Sequence, residues 1–200
     1  MEKTEARRRP LAPLRITCTS TECDKNLHCF RQTKRMKLAN QSGVCRACGA
    51  QLVDWGRVHQ RDISDAAYTV SALHYEKFRH YFWHVQIDQR AVNYALRKGS
   101  WKLREAVEAK IRKSIGAASP VRDGYQTPRE GSGNPIHYGQ HGTASCCRVC
   151  VEYWHGIPRG RELTDEEVSY LTDLAMRYIG ERIPDLAAEG QRIPPTRKDQ

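Results

Sequence analysis

Residues 163–184, "LTDEEVSYLTDLAMRYIGERIP", decide the fold class. Thr164 with Glu167 three positions later forms a capping box, the signature of a helix start. Behind it Val168, Leu171, Leu174, Ala175, Tyr178 and Ile179 recur at helical spacing, so one face of a long helix is turned to a core. Working outward, "DQRAVNYALRKG" has Asp88 as a cap and Gly99 as a stop, and "SWKLREAVEAKIRKSIG" runs from Ser100 to Gly116 with Leu103, Val107 and Ile111 on one face. Farther upstream, "ISDAAYTVSALHYEKFRHYFWHV" places Val70, Leu73, Tyr81 and Val85 at helix-spaced positions, with Ser64 as its cap. These segments predict a mainly α protein whose helical domain spans 63–186. Residues 117–142, crowded with Gly and Pro, read as one long loop, too long for an ordinary connector.

The first third has a different texture. Residues 15–62 are polar and cysteine-rich, with "RITCTSTECDKNLHCF", a basic run "RQTKRMK" and "VCRACGAQLVDW". So little apolar sequence cannot order itself unaided, which calls for a cross-link. Four residues separate Cys18 from Cys23 and two separate Cys45 from Cys48, and the glycine of "CRACG" lets backbone amides turn towards sulfur. Four thiolates on two tight turns suit tetrahedral zinc, so a small zinc-ribbon-like N-terminal module is expected, with Cys18, Cys23, Cys45 and Cys48 as ligands. His28 and Cys29 are competing donors. Residues 1–14 and 187–200 read as disordered tails.

The 200 residues carry Lys+Arg 33 against Asp+Glu 23, a formal net charge of +10, which attracts polyanions. Nucleic acid, DNA or RNA, is the expected partner, with Arg31, Lys34, Arg35 and Lys37 as phosphate contacts. No apolar run reaches the roughly 20 residues of a membrane helix, and the start lacks a signal peptide's apolar segment, so a cytoplasmic protein without membrane association is expected. In a reducing compartment eight cysteines point to metal rather than disulfides.

A second cluster lies in "HGTASCCRVCVEYWHGIP", residues 141–158. On a helix beginning near Thr143, Cys147 and Cys150 share a face, and His141 and His155 flank them, a donor set that zinc accepts. His137, or His80 and His84 four apart on the earlier helix, are alternative ligands. Two other readings stand beside metal. The cysteines are small buried side chains, or they form a reactive thiol or iron–sulfur centre, with Cys146 and Cys147 near a helix start and Arg148 favouring thiolate.

Two resemblances bear on these segments. "CTSTECDKNLH" is distantly similar to the Cys, Cys, Asn, His tail of HNH and His-Cys box nucleases. The general-base histidine of those enzymes has no counterpart here, because Arg15, Ile16 and Thr17 occupy its place. More specifically, "RDGYQTP" followed by "QHGTASCCRVCVEYWHGIPRGRELTDEEV" resembles an uncharacterised bacterial family classed as a domain of unknown function. The resemblance implies that Asp123, Gln126, Gln140, His141, Cys146, Cys147, Cys150, Trp154 and His155 form one module, and it implies no reaction.

A zinc-stapled nucleic-acid-binding protein is the leading expectation. The alternatives are a metal-dependent hydrolase of nucleic acid, with Asp123 and His137 as acid/base groups beside a metal-bound water, and a zinc-stapled adaptor for another protein.

Overall fold

The computed structural model describes residues 14–121, 123–124 and 131–193. The expected N-terminal tail up to Pro13, Gln126, and the last residues from 194 lie outside the described residues. Eight α-helices and no strand occur among the described residues. The mainly α class is therefore as expected, and none of these helices is long and apolar enough to cross a membrane.

The helical body is built from α3 (Ala66–Leu73), α4 (Lys77–His84), α5 (Gln89–Ile111), α6 (Pro135–Gly142), α7 (Arg148–His155) and α8 (Asp165–Arg182). The Thr164/Glu167 capping box opens α8. Its apolar face packs on α5 and α6, burying Leu171, Leu174, Tyr178 and Ile179 against Leu103, Val107 and Ile111. At its far end Arg182 donates to the carbonyls of Phe82, Trp83 and Val85, tying α8 to the end of α4.

Four local features differ from the sequence-based expectation. The helix expected from Ile63 is two, broken at residues 74–76. There the His28 N–H donates to the Tyr75 carbonyl at 2.7 Å and the Lys77 N–H to the His28 carbonyl at 2.9 Å, so a distant segment takes up the backbone groups a continuous helix would use. The cap at this entrance is Asp62, which receives the Ser64 N–H at 2.8 Å. Second, the segment 135–142 of the expected loop is the buried helix α6, started by Asn134, which accepts from the Ile136 N–H, and by Pro135 in the first turn. A Cβ at Gly142 would stand 2.6 Å from the Tyr178 ring, so glycine there serves a close helix–helix approach. Third, α7 begins at Arg148 rather than Thr143. Ala144 has a φ of 57° and Cys147 is extended, which leaves Cys146 and Cys147 ahead of the helix.

The fourth concerns the kink at Gly99, where the expected stop falls (φ 69°). A Cβ there would stand 2.4 Å from the backbone of Glu189, because the chain from 187 to 191 lies over the kink. Ser100 N–H donates to the Ala187 carbonyl at 2.8 Å, and Gln191 N–H to the Leu96 carbonyl at 2.8 Å. This part of the expected C-terminal tail is thus hydrogen-bonded to the body, since a kink frees helix backbone groups that need partners.

The N-terminal segment carries a 3-10 turn at Cys23–Lys25 and two short helices, α1 (Lys34–Leu38) and α2 (Trp55–His59). It packs on the body through a second apolar cluster in which Phe30 meets Trp154 edge-on at 5.9 Å and Trp55 meets Trp154 at 5.1 Å.

Candidate metal centres

Cys23, His28, Cys45 and Cys48 offer four donor atoms within 4.8 Å of one another, a group that could hold a metal ion. The first turn, closed by Glu22 N–H to Leu27 carbonyl at 2.7 Å, carries Cys23 and leads into His28. The second is the knuckle of "CRACG". Gly49 N–H donates to the Cys45 carbonyl at 2.8 Å, and Ala47 N–H points at the Cys45 sulfur at 3.5 Å. Cys23 Sγ lies 3.8 Å from Cys45 Sγ, and Cys48 Sγ lies 3.4 Å from His28 Nδ1. His28 Nε2 donates to Asn26 Oδ1 at 3.0 Å, which leaves the Nδ1 lone pair facing the thiols. Burial would raise the Cys45 thiol, but backbone donors from Cys29, Cys48 and Ala47 bring it down to about 6; burial and the neighbouring thiols push Cys23 up to about 12. The structure thus brings together three of the four expected cysteines, with His28 in place of Cys18.

Cys18 sits elsewhere. Its sulfur receives Arg31 Nη1 at 3.1 Å and its carbonyl receives the Cys29 thiol at 3.3 Å. Arg31 is accordingly half-buried and committed, whereas Lys34, Arg35 and Lys37 are exposed on or beside α1. Cys29 is fully buried, and burial pushes its thiol up to about 12.

Cys146, Cys147 and Cys150 form the second group, again within 4.8 Å of one another and all buried. Cys147 stands just ahead of α7 without a side-chain capping bond, and the neighbouring Cys146 and Cys150 thiols, with Arg79 assisting, bring its pKa down to about 3. Behind them stands a buried ionic network that sequence reasoning missed. Arg79, fully buried, donates Nη2 to Cys150 at 3.1 Å, Nη1 to the His141 carbonyl at 2.7 Å and Nε to Glu76 at 2.9 Å. Glu76, also fully buried, receives Tyr153 at 2.8 Å and Trp154 Nε1 at 2.7 Å. The available signal was a Glu/Arg pair three apart among the aromatics of "YEKFRHYFWH", charges set where a helix turns inward.

No histidine joins the three thiols among the described residues. His141 turns Nδ1 to the His137 carbonyl at 2.8 Å and stacks on Phe82 at 4.9 Å. His155 is fully buried with Nε2 at 2.9 Å from the Thr143 carbonyl and Nδ1 at 3.4 Å from the Tyr170 hydroxyl; burial brings its pKa down to about 4. The Thr143 carbonyl and the Tyr170 hydroxyl thus take up both ring nitrogens of His155. His80 and His84 stack on each other at 3.9 Å, and His74 is their neighbour. Arg148 directs its guanidinium to the carbonyls of Ile115, Pro158 and Arg161, away from a role beside a thiolate.

The two acid/base candidates lie on different elements. Asp123 Oδ1 accepts the Arg148 N–H at 2.7 Å, so this carboxylate caps α7 and pins the preceding loop. His137 stands on α6 with its ring 4.3 Å from that of His141. Gln140 reaches from the same helix to the Ser145 carbonyl at 3.1 Å, holding the turn that leads to the cysteines. The Cys18–Cys23 arrangement of the nuclease resemblance is not formed either, since the two sulfurs belong to different surroundings.

No solved structure matches the chain. The model of one family, described as "Domain of unknown function (DUF4186)", matches residues 67–180. That interval holds Glu76, Arg79 and the three-cysteine group and leaves the Cys23, His28, Cys45, Cys48 group outside it. As it spans more than half of the chain, the protein belongs to the DUF4186 family.

Proposed function

We propose that the protein is a zinc-binding protein that contacts nucleic acid. The observation that carries the zinc assignment is the spacing of the first group. Zinc bonds of about 2.3 Å to sulfur and about 2.0 Å to nitrogen at the tetrahedral angle set sulfur atoms about 3.8 Å apart and sulfur about 3.5 Å from nitrogen. The pairs here stand at 3.8 Å and 3.4 Å. Cys23, His28, Cys45 and Cys48 would hold the ion, and Asn26 orients the imidazole. Four protein donors close the shell, so the zinc supplies folding energy and no reaction.

What supports the nucleic-acid part is charge and placement. The net charge is +10, and Lys34, Arg35 and Lys37 are solvent-exposed on or beside α1, between the second and third ligands of the proposed zinc. Arg31 contributes less, since Cys18 engages it. Metal analysis of the full chain is expected to find zinc, and Cys45→Ser should lose one equivalent of it. Binding to duplex or single-stranded nucleic acid is expected to weaken with salt, and removing Lys34, Arg35 and Lys37 together should lower the slope of log K against log salt by about 2 to 3. Absence of zinc, or binding insensitive to salt, overturns the corresponding half of the proposal.

A further inference from the structure

The two cysteine groups share a local design. Cys45-Arg-Ala-Cys48 and Cys147-Arg-Val-Cys150 are both C-R-x-C. In the first the Ala47 N–H points at the Cys45 sulfur at 3.5 Å, and in the second Cys147 stands just ahead of α7 with Cys150 in its first turn. In the first group that knuckle presents two sulfurs to one ion. In the second, Cys146 adds a third sulfur, and the three lie within 4.8 Å of one another at 6%, 8% and 1% exposure.

Thiolates this close, away from water, repel and require positive charge. Arg79 meets only part of that need. Its Nη2 stands 3.1 Å from Cys150 Sγ and its Nη1 3.8 Å from Cys146 Sγ, but its Nε is bonded to Glu76, so the buried pair is neutral. A guanidinium N–H turned to sulfur is best satisfied by a sulfur carrying negative charge, as a metal-bound thiolate does.

We propose that Cys146, Cys147 and Cys150 hold a second metal ion, a thiophilic d10 cation bound by three thiolates, with Arg79 as the positioning residue. Zinc(II) and copper(I) share this ligand chemistry. Bound as three thiolates, with any thiol protons released to solvent, the cysteines leave one negative charge facing the Arg79 donors when the ion is divalent. This site uses none of the residues of the zinc site proposed above, so either can fail alone.

The test uses the full-length chain reconstituted with cadmium-113. Two resonances are expected, both in the sulfur-rich range. Cys150→Ser should remove one and Cys48→Ser the other. Because a core serine can prevent folding, wild-type protein provides a second reading. Metal loading should block alkylation of Cys146, Cys147 and Cys150, and chelation should restore it. Competition between zinc and copper(I) under reducing conditions then identifies the ion, and failure of both to bind at these cysteines overturns the proposal. Arg79→Lys, which retains charge but loses the fork, should weaken the second ion about 10-fold or more and leave the first unchanged. Equal affinity would remove Arg79 from the assignment. A single cadmium resonance that Cys150→Ser leaves intact, with Cys147 alkylated in metal-replete protein, overturns the second centre.

Discussion

The two cysteine groups differ in what surrounds them more than in what they are made of. The first lies in a polar segment on turns, with Cys48 exposed and little apolar surface of its own. The second lies within a helical body that already buries Leu103, Leu171, Tyr178 and their neighbours. The same C-R-x-C knuckle would therefore be the core of one region and an addition to the core of the other. The two meet at one corner. His28 contributes its ring to the first group and its backbone to Tyr75 and Lys77. Glu76, between them, turns inward to Arg79, which reaches Cys150. A break at this corner is thus expected to be felt on both sides, whereas loss of metal is not.

Metal removal is the largest test of that contrast. Structural zinc contributes about 10–16 kcal/mol in small zinc-dependent folds at pH 7. On chelation, amide protection over residues 15–62 should collapse while α5 and α8 keep theirs; simultaneous loss in α8 would break the contrast. The shared corner comes next. Glu76→Gln leaves Arg79 without its buried counter-charge and should cost about 3–5 kcal/mol, read as a lower urea midpoint. An unchanged midpoint would mean that the network carries no stability.

A pH effect of similar size belongs to the helical side. His155 is held to about 4 when folded, against about 6.5 when unfolded. Between these values the unfolded chain binds a proton that the folded chain refuses. Stability is therefore full above about pH 6.5 and should fall by about 3 kcal/mol as pH drops towards 4. His155→Gln should flatten that slope, and an unaltered slope would place the acid sensitivity elsewhere.

Smaller effects sharpen each side separately. Asn26→Ala removes the partner of His28 Nε2 and should weaken metal at the first group by about 10- to 100-fold, leaving binding at the second unchanged by direct titration. Asp123→Ala uncaps α7 and should cost about 1 kcal/mol, with faster exchange at the Arg148 amide; no change in that amide would show the cap to be dispensable.

The helical class and the start of α8 could be read from the sequence because a capping box and a 3.6-residue stripe are local signals, complete within the segment that bears them. The Asp88 cap and the Gly99 break were legible for the same reason. Helix α6 was not, because Gly139 and Gly142 look like breakers until Tyr178 is seen packed where a side chain would stand. The presence of cysteine centres was likewise visible, but their membership was not. Spacing alone ranks Cys18 with Cys23; the folded chain turns Cys18 to Arg31 and brings His28 to the thiols.

By itself, then, the sequence determined the mainly helical class, the starts of α5 and α8, and that thiols are gathered in two places, since propensity, capping and donor type reside in neighbouring residues. Only the tertiary structure decided the break at residues 74–76, the docking of 187–191 over Gly99, and the burial of the Glu76–Arg79 pair against Trp154 and Cys150. Each of these depends on a backbone group or buried charge finding its complement far away in the chain, and burial is what makes that complement obligatory.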